Sequence, residues 1–326
     1  MRVLITGGAG FLGRKLAARI LADGGLPDEN GAIKPLELLA LFDTGAPPAA
    51  ETVDGRLSVV TGDITDAAAV RALVAEGFDC IYHLAAVVSA GAEADFDLGY
   101  RVNLDGTRHV LEAARALGTC PRVVFASSIA AYGGELPETV TDDTPVHPQT
   151  SYGCQKSIGE YLITDYSRKG FLDGRALRLP TIVVRPGKPN KAASGFASAI
   201  AREPLNGIDY TCPVSPETRM AIMSPRTVVD CLRRAQALPG EAFGPWRGLL
   251  LSGFSAGMGE IVETLQAVAG ERRLGHIDFK VDPAIQRIVD AWPRAAYSER
   301  AQALGFPHDD DLAAVLRAHI EDELDG

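Results

Sequence analysis

The sequence has little positive charge, few cysteines and no long apolar run. Its 326 residues include 42 Asp and Glu against 32 Lys and Arg, which gives a net charge of −10 at pH 7. Nucleic acids and anionic membranes both attract basic surfaces, so this charge disfavours them as partners. No apolar stretch approaches the roughly 18 residues of a membrane span, and no basic-then-apolar leader precedes the first predicted strand. We therefore expect a soluble, cytoplasmic protein whose partner is a small molecule.

The five cysteines are odd in number, and none is spaced as CxxC. This pattern favours scattered thiols over a disulfide framework or a zinc site. Partners at metal-ligand spacing are also missing for the histidines His147, His276, His308 and His319. We therefore expect no bound metal.

Short apolar runs alternate with helical patterns through the first half of the chain. The predicted strands are Val3–Ile5, Leu36–Phe42, Leu57–Thr61, Cys80–Leu84, Val123–Ala126 and Arg175–Val184. The predicted helices between them are Gly10–Ala22, Asp66–Glu76, Phe96–Ala116 and Ser151–Lys169. This alternation predicts an α/β fold, a Rossmann-type doubly wound parallel sheet with a smaller C-terminal α/β substrate domain.

The change of domain is predicted at residues 185–191, where RPGKPNK contains two prolines and a glycine and cannot continue a central strand. Residues 1–185 are the predicted dinucleotide-binding domain, and residues 186–326 are mainly the substrate-binding domain. The run Gly248–Ser252 resembles a last strand of the sheet. We therefore expect residues 220–255 to return to the first domain.

A glycine-rich turn, TGGAGFLG at residues 6–13, follows the first predicted strand and opens the first helix. Gly7, Gly10 and Gly13 permit a tight turn, close approach of the backbone to phosphate and close packing of the helix, while the helix start offers free N–H groups to an anion. Ordinary turns are also rich in glycine. The strand before and the helix after this turn favour a binding site for the pyrophosphate of a dinucleotide.

Asp43 follows the second predicted strand of the sheet. A carboxylate at this point accepts hydrogen bonds from both adenosine ribose hydroxyls and repels a 2′-phosphate, which favours NAD over NADP. The segment Gly24–Pro35, rich in turn-forming residues, explains the long distance from the glycine turn and is predicted to be a surface excursion. No Arg or Lys directly follows Asp43. The alternative is an aspartate that caps a turn.

Tyr152 and Lys156 lie four residues apart at the start of a predicted helix, on one face. A neighbouring ammonium and a cationic nicotinamide both lower the pKa of a tyrosine, which would make Tyr152 a usable base. A surface Tyr–Lys pair is the alternative. Ser128 favours the functional interpretation, because it lies at the carboxyl end of a strand, where such sheets bind ligands.

Five motifs together resemble a known family. They are TGGAGFLG at 6–13, HLAA at 83–86, NLDGT at 103–107, SSIAAYGG at 127–134 and YGCQK at 152–156. In this order and spacing they are similar to the extended short-chain dehydrogenases/reductases, the NAD-dependent epimerase/dehydratase superfamily.

The resemblance implies a role for each matching residue. Tyr152 would be the general acid/base, Lys156 would hold the nicotinamide ribose and lower the pKa of Tyr152, and Ser128 would orient the substrate oxygen. Asn103 would take part in a proton relay, or would kink its helix. Besides the three glycines, Asp43, Tyr152 and Lys156, the expected cofactor contacts are Phe11, Leu12, Asp63, Ile64, Leu84, Ala85, Ala86 and Pro180.

The second half resembles the D-erythronate dehydrogenase branch, which oxidises C2 of a four-carbon sugar acid. The likeness runs from Leu177 to Ser194 and continues through REPL at 202–205 and SPR at 224–226. A substrate carboxylate needs a cation or several donors. Besides Ser128 and Tyr152, the expected substrate contacts are Ser89, Arg185, Lys191, Ser194 and Arg219.

Each cationic candidate also has a structural alternative. Arg185 could brace the edge of the sheet, Lys191 could be a solvated loop charge, and Arg219 could pair with Glu217 or another acidic group. The sequence thus leaves open which of them binds a carboxylate.

The predicted function is NAD-dependent oxidation of D-erythronate to 2-oxo-D-erythronate with Tyr152 as the general base. A nucleotide-sugar epimerase or dehydratase that retains NAD is the first alternative, and a non-catalytic NAD-binding regulator is the second. The intact set of Ser128, Tyr152 and Lys156 counts against the regulator. Relatives often pair the helices at 103–116 and 152–169, so the resemblance also implies a homodimer.

Overall fold

The computed structural model describes residues 1–187 and 194–324. Its strands are β1 Arg2–Thr6, β2 Gly25–Pro27, β3 Ile33–Pro35, β4 Leu38–Asp43, β5 Leu57–Thr61, β6 Cys80–His83, β7 Arg122–Ser128, β8 Thr139–Val140, β9 Asp173–Leu179, β10 Thr181–Ile182, β11 Tyr210–Cys212, β12 Arg219–Met223, β13 Gly248–Leu250, β14 Phe254–Gly257, β15 Ile277–Phe279 and β16 Ala295–Ala296. Its α-helices are α1 Phe11–Asp23, α2 Ala67–Val74, α3 Ser89–Ala94, α4 Phe96–Gly99, α5 Gly106–Leu117, α6 Ser151–Arg168, α7 Gly195–Leu205, α8 Pro225–Ala237, α9 Met258–Val268, α10 Pro283–Asp290, α11 Glu299–Ala303 and α12 Leu312–Glu323.

Seven of the described strands form one sheet in the order β13-β9-β7-β6-β1-β4-β5. Every neighbouring pair in it is parallel. The strand order runs outward from β1 in both directions, which makes the sheet doubly wound and opens a crevice beyond the carboxyl ends of β1 and β6. The predicted α/β, Rossmann-type fold is confirmed.

Helices cover both faces of this sheet. Val3 and Ile5 of β1 point to the face that packs against α1 and α8, whereas Leu4 points to the face covered by α2, α5 and α6. All three side chains are fully buried. Burial of each contributes about 1.5–3 kcal/mol, so a strand apolar at consecutive positions is stable only between two helical layers.

The predicted strand Arg175–Val184 is wrong at its carboxyl end. Strand β9 stops at Leu179 because Pro180 has no N–H with which to continue the ladder. The chain then enters a different, three-stranded sheet of β10, β12 and β14. Pro180 therefore marks the place where the chain leaves the large sheet.

The segment Gly24–Pro35 is more ordered than its composition predicts. It forms the antiparallel hairpin of β2 and β3, and its Leu26 side chain is fully buried beside α8. Part of the predicted surface excursion therefore belongs to the hydrophobic core. Its insertion before β4 accounts for the distance between the glycine turn and Asp43.

The single helix predicted over Phe96–Ala116 is interrupted. Residues Phe96–Gly99 and Gly106–Leu117 are α-helical, but Tyr100–Asp105 between them adopts a π-helix. Asn103 lies inside this π-helical turn, where its side chain bonds to the loop after β6. A widened turn of this kind is a common cause of a bend in a helix.

The second half of the chain builds a separate core around the three-stranded sheet. Val184, Phe196 and Leu316 are among its buried residues. Helix α8 instead packs against the large sheet, and β13 pairs in parallel with β9 at its edge. Within the described ranges, no helix is long and apolar enough to cross a membrane.

The close packing of the glycine turn leads to a prediction about stability. A Cβ on Gly13 would lie 2.3 Å from the carbonyl oxygen of Gly7, whereas a Cβ on Gly55 would meet no atom within 4 Å. We expect Gly13→Ala to lower the free energy of unfolding by about 1–3 kcal/mol through overpacking. Gly55→Ala is the control and should have little effect. Equal unfolding midpoints for the two variants in denaturant would contradict this packing.

Candidate active site

A cavity of about 1310 Å³ lies along the carboxyl ends of the parallel strands. It extends from the glycine turn after β1 to the first turn of α6 and the chain after β9. All of the predicted cofactor contacts are in its wall, namely Gly7, Gly10, Phe11, Leu12, Gly13, Asp43, Asp63, Ile64, Leu84, Ala85, Ala86, Tyr152, Lys156 and Pro180.

The glycine turn brings bare backbone to this wall. Gly7 has φ +73°, a left-handed conformation that favours glycine, and its N–H donates to Phe42 O at 2.9 Å. Helix α1 begins after Gly10, which has no side chain to cap the first N–H groups. An uncapped helix start at a cavity suits an anionic pyrophosphate.

Asp43 is held rigidly at the end of β4. One carboxylate oxygen accepts a hydrogen bond from the N–H of Ala9 at 3.1 Å, and the other accepts from the N–H of Thr44 at 2.7 Å. Among the described residues that line the cavity, the basic ones are Lys156 and Arg185, and both lie near Tyr152. The Asp43 end therefore offers acceptors for ribose hydroxyls and no cation for a 2′-phosphate.

Tyr152 lies in the first turn of α6, whose N-cap Thr150 accepts a hydrogen bond from Gly153 N–H at 3.1 Å. Ser128 and the positive charge of Arg185 lie close enough to act on its hydroxyl. Burial raises the pKa of Tyr152 above its usual value, against the effects of Ser128 and Arg185, which both lower it. The net direction is opposite to the one that the sequence predicts.

Lys156 is buried one turn further along α6. Its Nζ donates to Ala126 O at 2.8 Å and lies 5.6 Å from the centre of the Tyr152 ring. Burial lowers the pKa of Lys156 to about 7, although the negative charge of Glu160 raises it.

Asn103 does not reach the cavity. Its buried amide donates to Val87 O at 2.9 Å and to Gln155 Oε1 at 2.7 Å, and its oxygen accepts from Val87 N–H at 2.8 Å. These bonds fix the loop after β6 against α6. Its hydrogen-bond partners are Val87 and Gln155, which leaves its expected part in a proton relay a prediction.

The candidate substrate residues separate into three groups. Ser89, Arg185 and Ser194 line the cavity, and the Arg185 guanidinium donates to Ser194 Oγ at 2.6 Å and to Ile182 O at 3.2 Å. Lys191 lies outside the described residues. Arg219 lines a second cavity of about 670 Å³.

Arg219 is an exposed side chain that pairs with Glu260 at 2.5 Å. Its prediction as a substrate contact is not supported, because the guanidinium is bound to another surface group outside the larger cavity. Arg219 is instead paired with an acidic side chain, as the structural alternative expects, and the partner is Glu260 rather than Glu217.

Sequence patterns missed several residues at the Tyr152 end of the cavity. Gln149, Thr150, Thr181 and Trp292 also line it. Thr150 had a recognisable signal, since a threonine just before a helix is a typical N-cap. Trp292 had none, because its segment reaches the site only through the packing of the second core.

The contacts of His83 and the state of the cysteines indicate no catalytic or metal-binding role for them. The His83 ring bonds to the hydroxyls of Thr6 at 2.7 Å and Thr107 at 2.9 Å, and burial lowers its pKa to about 3, so the ring is neutral. The five cysteines are free. In the described parts of the chain, no group of three or more His, Cys, Asp or Glu side chains could hold a metal ion.

Comparison with known proteins finds relatives along the whole chain. A D-erythronate dehydrogenase from Cupriavidus necator is 50% identical over 322 residues, 99% of this chain and 98% of that protein. A D-erythronate dehydrogenase from Haemophilus influenzae is 44% identical over 324 residues, 99% of this chain and 100% of that protein. Because these relatives are dehydrogenases, the protein is an NAD-dependent oxidoreductase.

Solved structures give the same fold. The crystal structure of a nucleoside-diphosphate-sugar epimerase from Agrobacterium tumefaciens has a TM-score of 0.93 and 43% sequence identity, and the match covers 100% of this chain and 95% of that one. The sequence profile described as "NAD dependent epimerase/dehydratase family" matches residues 3–220. With that match and the cavity built from the family's motifs, the chain belongs to the NAD dependent epimerase/dehydratase family.

Proposed function

We propose that this protein oxidises the C2 hydroxyl of D-erythronate to the 2-oxo acid with NAD. The observation that carries the proposal is the meeting of Tyr152, Ser128 and Arg185 at one end of a cavity whose other end is an uncapped glycine turn. The choice of D-erythronate is supported by the names of the two relatives at 50% and 44% identity.

In the proposed reaction, Ser128 donates a hydrogen bond to the C2 oxygen while the Tyr152 phenolate accepts the proton of that hydroxyl. Arg185 pairs with the substrate carboxylate, which a guanidinium can bind through two parallel hydrogen bonds. The alcohol thus loses one proton to Tyr152 and one hydride from C2. The positive charges of Arg185 and Lys156 favour the phenolate against the opposing effect of burial.

The cofactor site fits NAD in the same arrangement. The N–H groups at the start of α1 would hold the pyrophosphate, Asp43 the adenosine ribose, and Lys156 the nicotinamide ribose. When bound, NAD supplies the nicotinamide ring that accepts the hydride. The acidic end at Asp43 supports NAD rather than NADP as the preferred form.

The domain division is also part of this proposal. Residues 1–185 with 220–255 would hold the cofactor, and the remaining residues after 186 would supply the substrate side. The packing of α8 and β13 with the large sheet supports this division. We further propose a homodimer through α5 and α6, where the Tyr161 side chain is 61% exposed.

A second candidate is nucleotide-sugar epimerisation, which the name of the Agrobacterium tumefaciens protein favours. The two reactions differ in their cofactor balance. A dehydrogenase releases NADH in proportion to the substrate consumed, whereas an epimerase returns the hydride. We expect net NADH absorbance with NAD and D-erythronate and none with UDP- or TDP-sugars; the reverse pattern would overturn the proposal.

The base can be tested on helix α6 itself. Removing its hydroxyl by Tyr152→Phe should lower kcat by at least about 100-fold, the usual contribution of a general base. Tyr161→Phe is the matched control, because Tyr161 lies on the same helix and packs against Trp246 in a tilted arrangement outside the cavity. Similar kcat values for Tyr152→Phe and Tyr161→Phe would contradict the role of Tyr152.

The acidic cofactor end predicts a change of preference. Asp43→Ser should raise KM for NAD about 10-fold or more, since hydrogen bonds to charged groups contribute roughly 1.5–3 kcal/mol, and should lower the ratio of kcat/KM for NAD over NADP. The control is Asp54→Asn, which changes an aspartate paired with Arg56 away from the cavity. An unchanged ratio in Asp43→Ser would argue against a ribose contact.

The two arginines give opposite expectations. Arg185→Gln should raise KM for the acid about 10- to 100-fold through the loss of charged hydrogen bonds, whereas Arg219→Gln should leave it nearly unchanged. The Arg185 charge lowers the pKa of Tyr152, so its loss should also move the rise of rate to higher pH. Steady-state kinetics across pH would measure both effects. A larger KM increase in Arg219→Gln would reverse the assignment.

A further inference from the structure

A buried ion pair lies directly behind the proposed site. The Glu160 carboxylate of α6 accepts hydrogen bonds from Arg178 Nε at 2.9 Å and Arg178 Nη2 at 2.6 Å. The side chains of Glu160 and Arg178 are 1% and 5% exposed. A buried pair of this kind seldom adds much net stability, because desolvation of both charges offsets their attraction. Its position therefore invites a functional explanation.

Glu160 connects the three segments that meet at the site. It lies on α6, two turns beyond Tyr152 and one beyond Lys156. Ser127, the residue before Ser128, donates to Glu160 Oε1 at 2.5 Å. Through Arg178, which also donates to the Tyr132 hydroxyl at 2.7 Å, the carboxylate is joined to β9 and the chain that leads to Arg185.

Four titratable side chains of the described residues lie around Lys156. On its own helix the neighbours are Glu160 and the phenol of Tyr152; β9 contributes Arg178, and β6 contributes His83, which is neutral. Nζ itself donates to the backbone carbonyl of Ala126 in β7 and lies 4.7 Å from the centre of the Phe125 ring. Glu160 is thus the acidic side chain that acts on the Lys156 ammonium. A buried ammonium without such a charge loses its proton more easily.

We propose that Glu160 is a positioning residue of the reaction: its carboxylate joins α6 to the strands that carry Ser128 and lead to Arg185, and supplies the negative charge that keeps Lys156 an ammonium. This inference rests on the proposed function for its catalytic meaning. The effect of Glu160 on the titration of Lys156 can, however, be measured without any substrate.

The test is a pH titration of Lys156 by NMR. The chain contains seven lysines, so protein labelled with ¹³C at lysine Cε gives few signals, and Lys156→Met identifies the one of interest. Glu160→Gln keeps the size of the side chain and removes its charge. Because the ammonium is lost as pH rises through the pKa, we expect the Lys156 midpoint in Glu160→Gln to fall by about one pH unit or more.

Ser127→Ala is the matched control. It removes one hydrogen bond to Glu160 and keeps the carboxylate charge, so its Lys156 midpoint should stay at the wild-type value. If Glu160→Gln does not fold, the double variant Glu160→Gln/Arg178→Met leaves no buried charge unpaired, and its Lys156 midpoint should lie below that of Arg178→Met, which keeps the carboxylate. An unmoved midpoint in folded Glu160→Gln, equal midpoints in the double variant and Arg178→Met, or an equal shift in Ser127→Ala would overturn the proposal.

The pH dependence of kcat/KM adds a readout in turnover. In Glu160→Gln the loss of rate at alkaline pH should begin at a lower pH than in the wild type, with the same displacement as the NMR midpoint. If kcat/KM is lower at every pH but the pH at which it declines is unchanged, Glu160 has a merely structural role. If the wild type forms no NADH from D-erythronate, the proposed substrate fails, while the titration still decides whether Glu160 controls Lys156.

Discussion

The attachment of helix α6 to the end of strand β7 is the contact on which the site depends. Lys156 Nζ bonds to Ala126 O, and Glu160 accepts a hydrogen bond from Ser127, so one helix face is fixed to consecutive residues of the strand. Tyr152 is thereby brought to Ser128. Both contacts are buried, and losing Glu160 would leave the Ser127 hydroxyl and the Arg178 guanidinium without this partner. The register between helix and strand is therefore strongly determined.

The two ends of the cavity are built from different materials. At the Asp43 end, most contacts come from backbone and short side chains of the glycine turn and the strand ends, positions set by the doubly wound sheet itself. At the Tyr152 end, Arg185, Ser194 and Trp292 come from segments of the second core. The proposed cofactor contacts thus come from the large sheet, whereas several of the proposed substrate contacts come from segments of the second core.

Local patterns explain how much the sequence predicted. The glycine turn, the YxxxK helix and the strands of the large sheet are local signals, and the structure contains each of them. The end of β9 was misplaced although Pro180 marked it, since a run of branched residues follows the proline. The hairpin inside Gly24–Pro35 was missed because a composition of turn residues does not show which apolar side chain is buried.

Other errors concern long-range contacts. The pKa of Tyr152 depends on burial, which spacing along a helix does not reveal. Arg219 was a candidate by position in the chain, but its partner Glu260 lies on another element. Glu160 lies four residues after Lys156, as Lys156 does after Tyr152, so the sequence indicates that all three share one face of the helix. It does not indicate that Arg178 on β9 is the partner of Glu160.

The most direct test follows the hydrogen atom that leaves the substrate. D-erythronate carrying deuterium at C2 would be incubated with NAD and this protein, and the NADH would be analysed by NMR and mass spectrometry. If Tyr152 and Ser128 act on the C2 hydroxyl, the deuterium appears at C4 of the nicotinamide ring. Formation of unlabelled NADH, or return of the label to the sugar acid with no NADH released, would contradict oxidation at C2.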